Sequence, residues 1–431
     1  MSPPLSRIDA RIERLHHLYP RLIDLRLERL ERLLAALGHP ERRLPPCIHV
    51  AGTNGKGSVC AFVRAIAEAA GLRVHVYTSP HLVRFNERIR LAGTLVSDDA
   101  LDAALDEVER VNAAAPITVF EAITAAAFVL FASHPADLAI IEVGLGGAFD
   151  ATNVIPPPLA CAITSISLDH REFLGDSTTI IAREKSGIIK PGTIAITGQQ
   201  PGEILDVIAG TAAASAVPLA ARERDWDVNP TATGFTFRDA AGTLDLPRPA
   251  LGGAHQLDNA GIAIAALRAT SLPIPRSAYA TGMRTATWPA RMQRLTGTLA
   301  DILPRGSELW LDGAHNPGGA EAIAAMLAAW DGPTDLIVGM KQAKDCAEFL
   351  RIVIPRAASI HAVAEPGQHL ALPVEAIIDA SGGVALAGPT VAGALETLAR
   401  AGIPRRVLIC GSLYLAGVIL ARQAEREVEP A

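Results

Sequence analysis

The sequence has few of the features that mark secreted, membrane-spanning and nucleic-acid-binding proteins. It contains five cysteines in 431 residues, without paired spacing, so we expect buried thiols in a reducing compartment, not disulfides or a zinc site. The longest apolar run, residues 122–132, is interrupted by Thr124 and is too short to span a bilayer. The formal net charge is −6, which argues against a nucleic-acid partner.

The N-terminal residues 1–18 are polar and charged and lack the apolar core of a signal peptide. We therefore expect a cytoplasmic protein without a membrane or nucleic-acid partner, and we expect a monomer. The hydrophobic content of 49% predicts a well-packed chain, and 431 residues exceed a single ordinary core. Two domains are the expectation.

Alternating strand and helix patterns predict an α/β fold with a mostly parallel, doubly wound sheet. The continuous apolar run 138–143 is typical of a buried parallel strand, and 226–246 alternates with turn residues as antiparallel hairpins do. A boundary near 288–297 separates the predicted domains, 1–290 and 297–431. Other predicted strands are 72–77, 159–163, 193–196, 308–311, 335–338, 359–363 and 406–410. Predicted helices are 5–17, 22–37 (after a break near Pro20), 98–111, 121–133, 255–269, 320–329, 346–354, 391–401 and 413–422.

The stretch 47–58, CIHVAGTNGKGS, joins an apolar run, a glycine-rich loop and the start of a helical pattern. This layout cradles phosphate, because backbone N–H groups and the helix N-terminus converge on the anion. Lys56 can reach a β- or γ-phosphate, and the Ser58 hydroxyl can bind Mg²⁺. Gly57 separates these two residues, a variant seen in ligases that activate a carboxylate with ATP. The alternative interpretation is a plain glycine turn before a helix.

Polar residues follow two other predicted strands at the same edge of the sheet. Glu142 lies at the end of strand 138–143, and Asp169 and His170 follow strand 159–163. Ligands of open parallel sheets bind beyond the carboxyl ends of the strands, which favours Glu142 as a Mg²⁺ ligand near the phosphate loop. A solvated glutamate and a structural histidine are the alternatives.

Glu184 and Lys185 lie at the end of a short predicted helix. A surface salt bridge is the commonest fate of such a pair. The functional alternative is a lysine carbamate, in which CO₂ turns the cation into an anionic oxygen ligand suited to Mg²⁺. The local sequence does not select between them.

More polar residues lie at element ends in and near the second domain. Asn259 lies in the segment 255–260 that opens a predicted helix, and Arg291 follows the interdomain linker. Asp312 and His315 follow strand 308–311, and Lys344 lies in another loop after a strand. Each could be a binding residue or a turn residue.

Together these motifs resemble the folylpolyglutamate synthase/dihydrofolate synthase family of the Mur ligase superfamily. The resemblance spans about residues 20–420 and implies a Mur-ligase-like central ATPase domain followed by a smaller, Rossmann-like C-terminal domain. The glycine loop and LDGAHN are shared widely with cell-wall Mur ligases, whereas SPHLVRFNERI and EVGLGG are closer to folate enzymes. The matches are HVAGTNGKGS (49–58), TSPHLVRFNERI (78–89), FEAIT (120–124), EVGLGGAFDATN (142–153), Asp169-His170, EKSGIIK (184–190), HQLDNA (255–260), ARM (290–292) and LDGAHN (311–316).

The resemblance implies a role for each matching residue. Lys56, Lys185 and His315 would be catalytic, with Lys185 carbamylated and His315 lining the cleft. Ser58 and Glu142 would bind one Mg²⁺ and His170 a second, and a monovalent cation is also implied. Residues implied to contact ATP are Gly52, Thr53, Asn54, Gly55, Lys56, Gly57, Ser58, Asn259, Arg291 and Asp312. Residues implied to border the pterin substrate are Ser79, Pro80, His81, Arg84, Phe120 and Asp150.

The implied reaction joins L-glutamate to dihydropteroate or to a folate tail, with ATP forming an acyl phosphate first. One departure is visible: the family usually has Arg-Leu where this chain has Ala148-Phe149, which removes a cation near the substrate side.

A Mur-type ligase with another acceptor and a non-ligase phosphate-loop protein are the alternatives. Cell-wall ligases carry a UDP-sugar domain before the ATP loop, and a loop that begins at Gly52 leaves no room for one. The absence of a guanine-reading motif disfavours a GTPase-like switch.

Overall fold

The computed structural model describes residues 7–18 and 26–428, with side chains described as far as residue 424. The chain forms two compact units, the first ending at Thr287 and the second beginning at Trp288. Two short segments, Ser167–Arg171 and Leu251–His255, also belong to the second unit. Both segments fall within the range 1–290 that the sequence assigned to the first domain.

A mostly parallel sheet forms the centre of the first unit. Its strands are β1 (Cys47–Ala51), β2 (Val74–Tyr77), β3 (Ile89–Leu91), β4 (Thr94–Leu95), β5 (Leu138–Glu142), β6 (Ala160–Ile163), β7 (Ile194–Thr197) and β8 (Leu219–Ala221). Their order is β4-β3-β2-β5-β1-β6-β7-β8, with β3 antiparallel to both β2 and β4. Every residue of β1 and β5 is buried, as expected for strands covered on both faces. The predicted parallel sheet is confirmed.

The helices of the first part of the chain cover this sheet. They are α1 (Arg7–Leu18), α2 (Glu28–Ala36), α3 (Lys56–Ala69), α4 (Asp98–Asn112), α5 (Val119–Ser133), α6 (Arg171–Leu174), α7 (Thr178–Ser186), α8 (Gly202–Ala214), α9 (His255–Arg268) and α10 (Arg276–Thr285). The helix α5 begins with a reciprocal cap in which Thr118 and Glu121 each bond the other's backbone N–H. It then buries an almost wholly apolar sequence against α1, α2 and α4.

The segment that was predicted to form antiparallel hairpins does so. It comprises β9 (Trp226–Pro230), β10 (Gly234–Asp239) and β11 (Gly242–Pro247), in the order β11-β10-β9. Trp226, Phe235 and Phe237 are buried, and the Trp226 and Phe237 rings stack with centroids 5.9 Å apart. Buried aromatic residues alternate with more exposed polar residues along these strands, and this period of two is why the sequence predicted the hairpins.

The second unit contains another mostly parallel sheet with its own apolar core. The strands are β12 (Gln293–Leu295), β13 (Glu308–Leu311), β14 (Thr334–Val338), β15 (Ser359–Ala362), β16 (Leu386–Ala387) and β17 (Arg406–Cys410). Their order is β12-β13-β17-β14-β15-β16, with β12 antiparallel to β13. The helices are α11 (Pro317–Ala329), α12 (Cys346–Val353), α13 (Val374–Ala380), α14 (Val391–Ala399) and α15 (Leu413–Val428).

Differences from the sequence prediction are confined to weak or short elements. The helices α6, α8, α10 and α13 and the short strands β3, β4, β8, β12 and β16 were not predicted. Gly202 and Gly210 weaken the helical signal of α8, and strands of two or three residues are too short to show a period. The predicted break near Pro20 lies outside the described residues. Within the described ranges, no helix is both long and apolar enough to cross a membrane.

Candidate active site

The glycine loop between β1 and α3 is held against the chain that follows β6. The N–H groups of Thr53 and Asn54 donate to the Ser165 carbonyl oxygen at 2.9 and 3.3 Å. Gly52 has a φ of +141°, and a Cβ at this position would lie 1.9 Å from Oγ1 of Thr164. Both conditions exclude a side chain at position 52, so the close approach of the loop to the end of β6 requires glycine.

A second glycine sets the start of α3 and brings α9 to the loop. Gly55 has a φ of +94°, and a Cβ there would lie 2.3 Å from Oδ1 of Asn259. Asn259 Nδ2 donates to Gln256 Oε1 at 3.0 Å, and Gln256 Nε2 donates to the buried Ser58 Oγ at 3.2 Å. The structure therefore places Asn259 beside the phosphate loop, together with Gln256, which the sequence analysis did not single out.

The ammonium group of Lys56 lies within the loop itself. Its Nζ donates to the carbonyl oxygens of Gly52 and Thr53 at 3.1 and 3.2 Å. Carbonyl groups are weaker partners for an ammonium than phosphate oxygens, because they carry only partial charge. This arrangement keeps a cation at the centre of the predicted phosphate cradle.

Glu142 lies at the end of β5, directly beside Val50 of β1 in the sheet register. Its side chain is buried, and Oε2 accepts a hydrogen bond from the Ser79 N–H at 3.2 Å. Burial raises the pKa of the Cys60 thiol, and the charge of Glu142 adds to that effect. The carboxylate therefore lies beside the loop that begins at Ser79, and its charge acts on Cys60 of α3.

The loop that carries the predicted substrate residues is shaped by one carboxylate. Glu87 accepts hydrogen bonds from the N–H groups of Leu82, Val83 and Arg84 at 2.8 to 3.3 Å. Arg88 Nε donates to His81 Nδ1 at 3.0 Å, and burial with this neighbouring cation lowers the pKa of His81 to about 3. The neutral imidazole therefore carries its hydrogen on Nε2.

Other predicted substrate residues lie around this loop or near the glycines after β5. Arg84 is exposed and pairs with Asp98 at 3.2 Å, and Ser79-Pro80 lies next to Glu142. The Phe120 ring occupies the space where a Cβ on Gly144 would lie, 2.4 Å from its Cζ. Gly144 thus admits an aromatic ring directly after the β5 carboxylate.

The glycine segment 144–147 packs directly on the end of α7. A Cβ on Gly147 would lie 2.5 Å from the Glu184 carbonyl oxygen and 2.8 Å from the Lys185 Cα. Lys185 is only 5% exposed, so the surface salt bridge considered from the sequence is wrong. Ala148 is held by a hydrogen bond from its N–H to the Glu184 carbonyl at 2.8 Å, while the Phe149 side chain is 53% exposed.

A buried hydrogen-bond relay joins β1 to the glycine segment. Asp150 Oδ2 accepts from the Leu145 N–H at 2.8 Å, and Asp150 Oδ1 accepts from the Thr152 hydroxyl. The Thr152 oxygen in turn lies 2.8 Å from Nε2 of the fully buried His49. Since Thr152 donates to the carboxylate, His49 donates through Nε2 and is neutral; burial, helped by Lys190, lowers its pKa to about 3. Asp150, predicted as a substrate residue, thus also shapes this loop.

Asp169 is the centre of a charged cluster in the second unit. Its carboxylate lies 2.5 Å from Lys344 Nζ and 3.5 Å from His315 Nε2, and it accepts a hydrogen bond from Asn316 Nδ2 at 2.9 Å. Burial alone would raise the pKa of Asp169, but the surrounding His315, Lys344 and His170 outweigh it and hold the pKa well below its usual range. The predicted residues His170 and His315 therefore share one carboxylate.

Asp312 forms a second polar centre in this unit. Its oxygens accept hydrogen bonds from the N–H groups of Met292 and Ala314 at 2.9 and 2.8 Å. Burial lowers the pKa of His255, with the nearby Asp312 opposing and Arg291 adding to the shift. A Cβ on Gly313 would lie 3.0 Å from Arg291 Nη1, which places the predicted nucleotide residues Arg291 and Asp312 side by side.

Several residues of this site had no readable signal in the sequence. Gln256, His49 and Asn316 form hydrogen bonds to partners 103 to 198 positions away along the chain, and such partners cannot be inferred from spacing. Lys344 was noted in a loop after a strand, but its partner Asp169, 175 positions away, could not be inferred either. Only Asn316 had a local indication, because Asn-Pro before a helical pattern predicts a cap.

Comparison with known proteins agrees with the fold and with these motifs. Residues 50–267 match the Mur ligase middle domain. The chain is 38% identical over 339 residues to the dihydrofolate synthase/folylpolyglutamate synthase of Escherichia coli K12. The aligned region covers 78% of this chain and 76% of that protein.

Two solved structures extend the similarity to nearly the whole chain. One is E. coli FolC in complex with DHPP and ADP, at 32% identity and a TM-score of 0.88, covering 99% of this chain and all of that one. The other is a bifunctional folylpolyglutamate synthase/dihydrofolate synthase with Mn, AMPPNP and L-glutamate bound, at 32% identity and a TM-score of 0.86, covering 98% of this chain and 100% of that one. The chain therefore belongs to the folylpolyglutamate synthase/dihydrofolate synthase family of the Mur ligase superfamily, and it is an ATP-dependent ligase of folate metabolism.

Proposed function

We propose that this enzyme joins L-glutamate to dihydropteroate, to the glutamyl tail of tetrahydrofolate, or to both, through an acyl phosphate. The observation that supports the proposal is the glycine loop with Lys56 after β1, next to the strand β5 that ends in Glu142, whose carboxylate accepts from the Ser79 N–H. The related proteins with ADP and DHPP, or with AMPPNP and L-glutamate, are bound to ligands of this chemistry.

The reaction needs activation because a carboxylate is a poor electrophile. A carboxylate oxygen of the acceptor attacks the γ-phosphorus, and ADP leaves. The glutamate amine then attacks the acyl carbon, loses a proton and displaces phosphate, which takes the bridging oxygen with it. Lys56 stabilises the charge on the transferring phosphoryl group, and the backbone N–H groups of the loop bind its oxygens.

The donor set beside the loop fits a divalent cation. Ser58 Oγ accepts one hydrogen bond from Gln256 and has a second lone pair, and Glu142 offers a buried carboxylate. Such hard oxygen ligands suit Mg²⁺, which would neutralise phosphate charge when bound. We assign Ser58 and Glu142 to one Mg²⁺ and His170 to a second, and the implied monovalent cation stays a prediction.

We also propose that Lys185 is carbamylated. Lys185 is buried, and the glycine segment that follows Glu142 packs directly on its backbone, which supports a role beside the metal ligands. Addition of CO₂ to the neutral amine, with loss of one proton, would give an anionic oxygen ligand at the same position. His315, whose Nδ1 lies 2.9 Å from the Gly313 carbonyl, would line the substrate cleft.

The remaining proposals concern the setting of the enzyme. We place it in the cytoplasm, where ATP is available, and all five cysteines are buried thiols as that compartment allows. We expect it to act as a monomer, which sedimentation of the purified chain would test.

Product analysis with purified protein tests the function. We expect ATP- and Mg²⁺-dependent formation of an amide from L-glutamate and dihydropteroate, tetrahydrofolate or both. Amide formation only with a UDP-muramyl acceptor would show another Mur-type ligase, and ATP hydrolysis without any amide would show a non-ligase. Either of these results would overturn the proposal.

A further inference from the structure

The first turn of α9 carries two residues that lie beside the glycine loop, Gln256 and Asn259. Asp258 lies between them in the sequence. Its Oδ1 accepts hydrogen bonds from the Gln199 N–H at 3.1 Å and from Arg222 Nη1 at 3.2 Å. The first donor follows β7 and the second follows β8, so this carboxylate joins the turn to two neighbouring strands of the central sheet.

The guanidinium of Arg222 also joins α9 to the hairpin sheet. It donates through Nε to Asp227 at 3.1 Å and through Nη2 to the Val228 carbonyl at 3.3 Å, and both partners belong to β9. The helix and the hairpin sheet are in direct contact as well, because a Cβ on Gly261 would lie 2.4 Å from the Trp226 ring. The hairpin sheet therefore braces α9 close to its first turn.

The next residue after β7, Gln200, holds the other side of the glycine loop. Its Nε2 donates to the Thr164 carbonyl at 2.9 Å, and its Oε1 accepts from the Ile166 N–H at 3.3 Å. Thr164 is the residue that closes on Gly52, where a Cβ would lie 1.9 Å from its Oγ1. The chain after β7 thus contacts both supports of the glycine loop, the start of α9 through Gln199 and the end of β6 through Gln200.

We propose that Arg222 and Gln200 are positioning residues of the nucleotide site, a proposal that rests on the ligase function above for the identity of the nucleotide. Together they set the separation between α9 and the end of β6, and so the shape of the phosphate cradle. Both act through the elements that they hold, not by contact with the nucleotide. Backbone N–H groups bind phosphate well only when they converge on it, so a shift of about 1 Å in either support costs binding and rate.

A second ion pair offers a matched control at the far end of the same helix. Arg268, ten residues after Asp258 and about 15 Å further along the α9 axis, donates to Asp239 at the end of β10 at 2.6 and 2.7 Å. It joins the same two elements, and its side chain is 13% exposed against 18% for Arg222. Loss of either arginine should therefore lower stability to a similar extent, while Arg222 alone of the two acts next to the glycine loop.

Calorimetric titration of ADP with Mg²⁺ into the full-length chain tests the proposal. Arg222→Gln and Gln200→Met each remove the hydrogen bonds to one support, and we expect the Kd for ADP to rise about tenfold in both. Arg268→Gln should lose stability comparable to Arg222→Gln in a thermal melt and bind ADP as the wild type does. KM for the folate acceptor should stay within about twofold of the wild type in all three variants.

Unchanged ADP binding in both Arg222→Gln and Gln200→Met would overturn the positioning role, and so would equal weakening in Arg268→Gln. A double-mutant cycle tests the route of the effect. If Arg222 acts through α9, its loss and Gln256→Leu, which removes the contact with Ser58, should be less than additive for ADP binding. Additive effects would contradict that route. If Arg222→Gln does not fold, Gln200→Met still decides, because it acts on the other support.

ADP binding and amide formation are measured separately, so the two proposals can fail separately. If the wild type makes no amide but ADP binding shows the expected differences among the variants, the ligase proposal fails and the positioning role stands. If the wild type joins glutamate to an acceptor and all variants bind ADP equally well, the positioning role fails and the ligase stands.

Discussion

Lys56 closes the phosphate loop on itself by donating to the carbonyl oxygens of Gly52 and Thr53. Each is a hydrogen bond that nucleotide phosphates would replace with stronger, fully charged partners. The residue therefore shapes the loop, and in the proposed mechanism it would also stabilise the transferring phosphoryl group. The contribution of Lys56 to the stability of the loop is small, because a hydrogen bond from a charged donor contributes about 1.5–3 kcal/mol at most.

Lys56→Ala should abolish ATP-dependent ligation and leave the fold intact. The change removes the cation aimed at the γ-phosphate, while Lys56 contributes little to the apolar core. Steady-state amide formation and a thermal melt would measure the two effects, with Lys341→Ala, a lysine over the Tyr414 ring, as a control for loss of charge. More than about a tenth of wild-type turnover in Lys56→Ala would contradict the assignment of this loop.

Lys185 gives a second test at the level of one residue. If Lys185 is carbamylated, Lys185→Ala should lose activity, and acetate should partly restore it by supplying the missing oxygens. Lys185→Arg should be inactive, because a guanidinium stays cationic and cannot take up CO₂. Amide formation with and without acetate is the readout. High activity of Lys185→Arg would refute the carbamate, and so would an unmodified amine in crystals grown with nucleotide and bicarbonate.

At the level of elements, close backbone contact between the glycine segment and α7 holds the site together. Gly147 lies so near the Glu184 carbonyl that no side chain fits, and a Cβ there would meet backbone atoms that cannot rotate away. Asn153 Nδ2 reinforces the junction by donating to the carbonyl groups of Ala148 and Gly187 at 3.0 and 3.2 Å. Lys185 thus depends on this junction for its position.

Gly147→Ala should displace α7 and lower both stability and activity, with a loss of about 1–3 kcal/mol from overpacking. Gly210→Ala is the matched control, since Gly210 lies within α8 with open space around its Cβ position. That variant should gain about 0.5–1 kcal/mol of unfolding free energy and keep full activity. Chemical denaturation and amide formation would measure both variants. Equal behaviour of the two would show that the junction has no special role.

The sequence predicted elements well where apolar runs were long and poorly where they were short. The buried strands β5 and β17 and the helix α5 were recognisable because burial on all sides leaves a continuous apolar run. The edge strands β4 and β16 have two residues each and no pattern to read. Strand ends and glycines identified Glu142 and Asp312, but Gln256 and His49 depend on partners far along the chain.

For the whole molecule, buried neutral histidines make stability depend on pH. His49 has a pKa of about 3 in the folded chain and an ordinary value of 6.5 when unfolded. Between these values the unfolded chain binds the extra proton, so stability is fully present above about pH 6.5 and is lost as pH falls toward 3.

The free energy of unfolding should therefore fall by about 1.4 kcal/mol per pH unit for this group in the middle of that window. His49→Gln, which can still donate to Thr152 but does not titrate, should reduce the slope by that amount. Denaturation curves between pH 4 and 7 would measure it, with the exposed His369→Gln as the control. An unchanged slope in His49→Gln would show that another group causes the acid sensitivity.

The central claim is that the two units form one ligase that activates a carboxylate as an acyl phosphate and then attaches glutamate. Dihydropteroate labelled with ¹⁸O in its carboxylate, or a similarly labelled folylglutamate, tests both steps in one experiment with ATP, Mg²⁺ and L-glutamate. The account predicts that mass spectrometry will find one amide formed for each phosphate released, with one labelled oxygen carried into that phosphate. Phosphate released without amide, or amide formed while the phosphate carries no label, would contradict it.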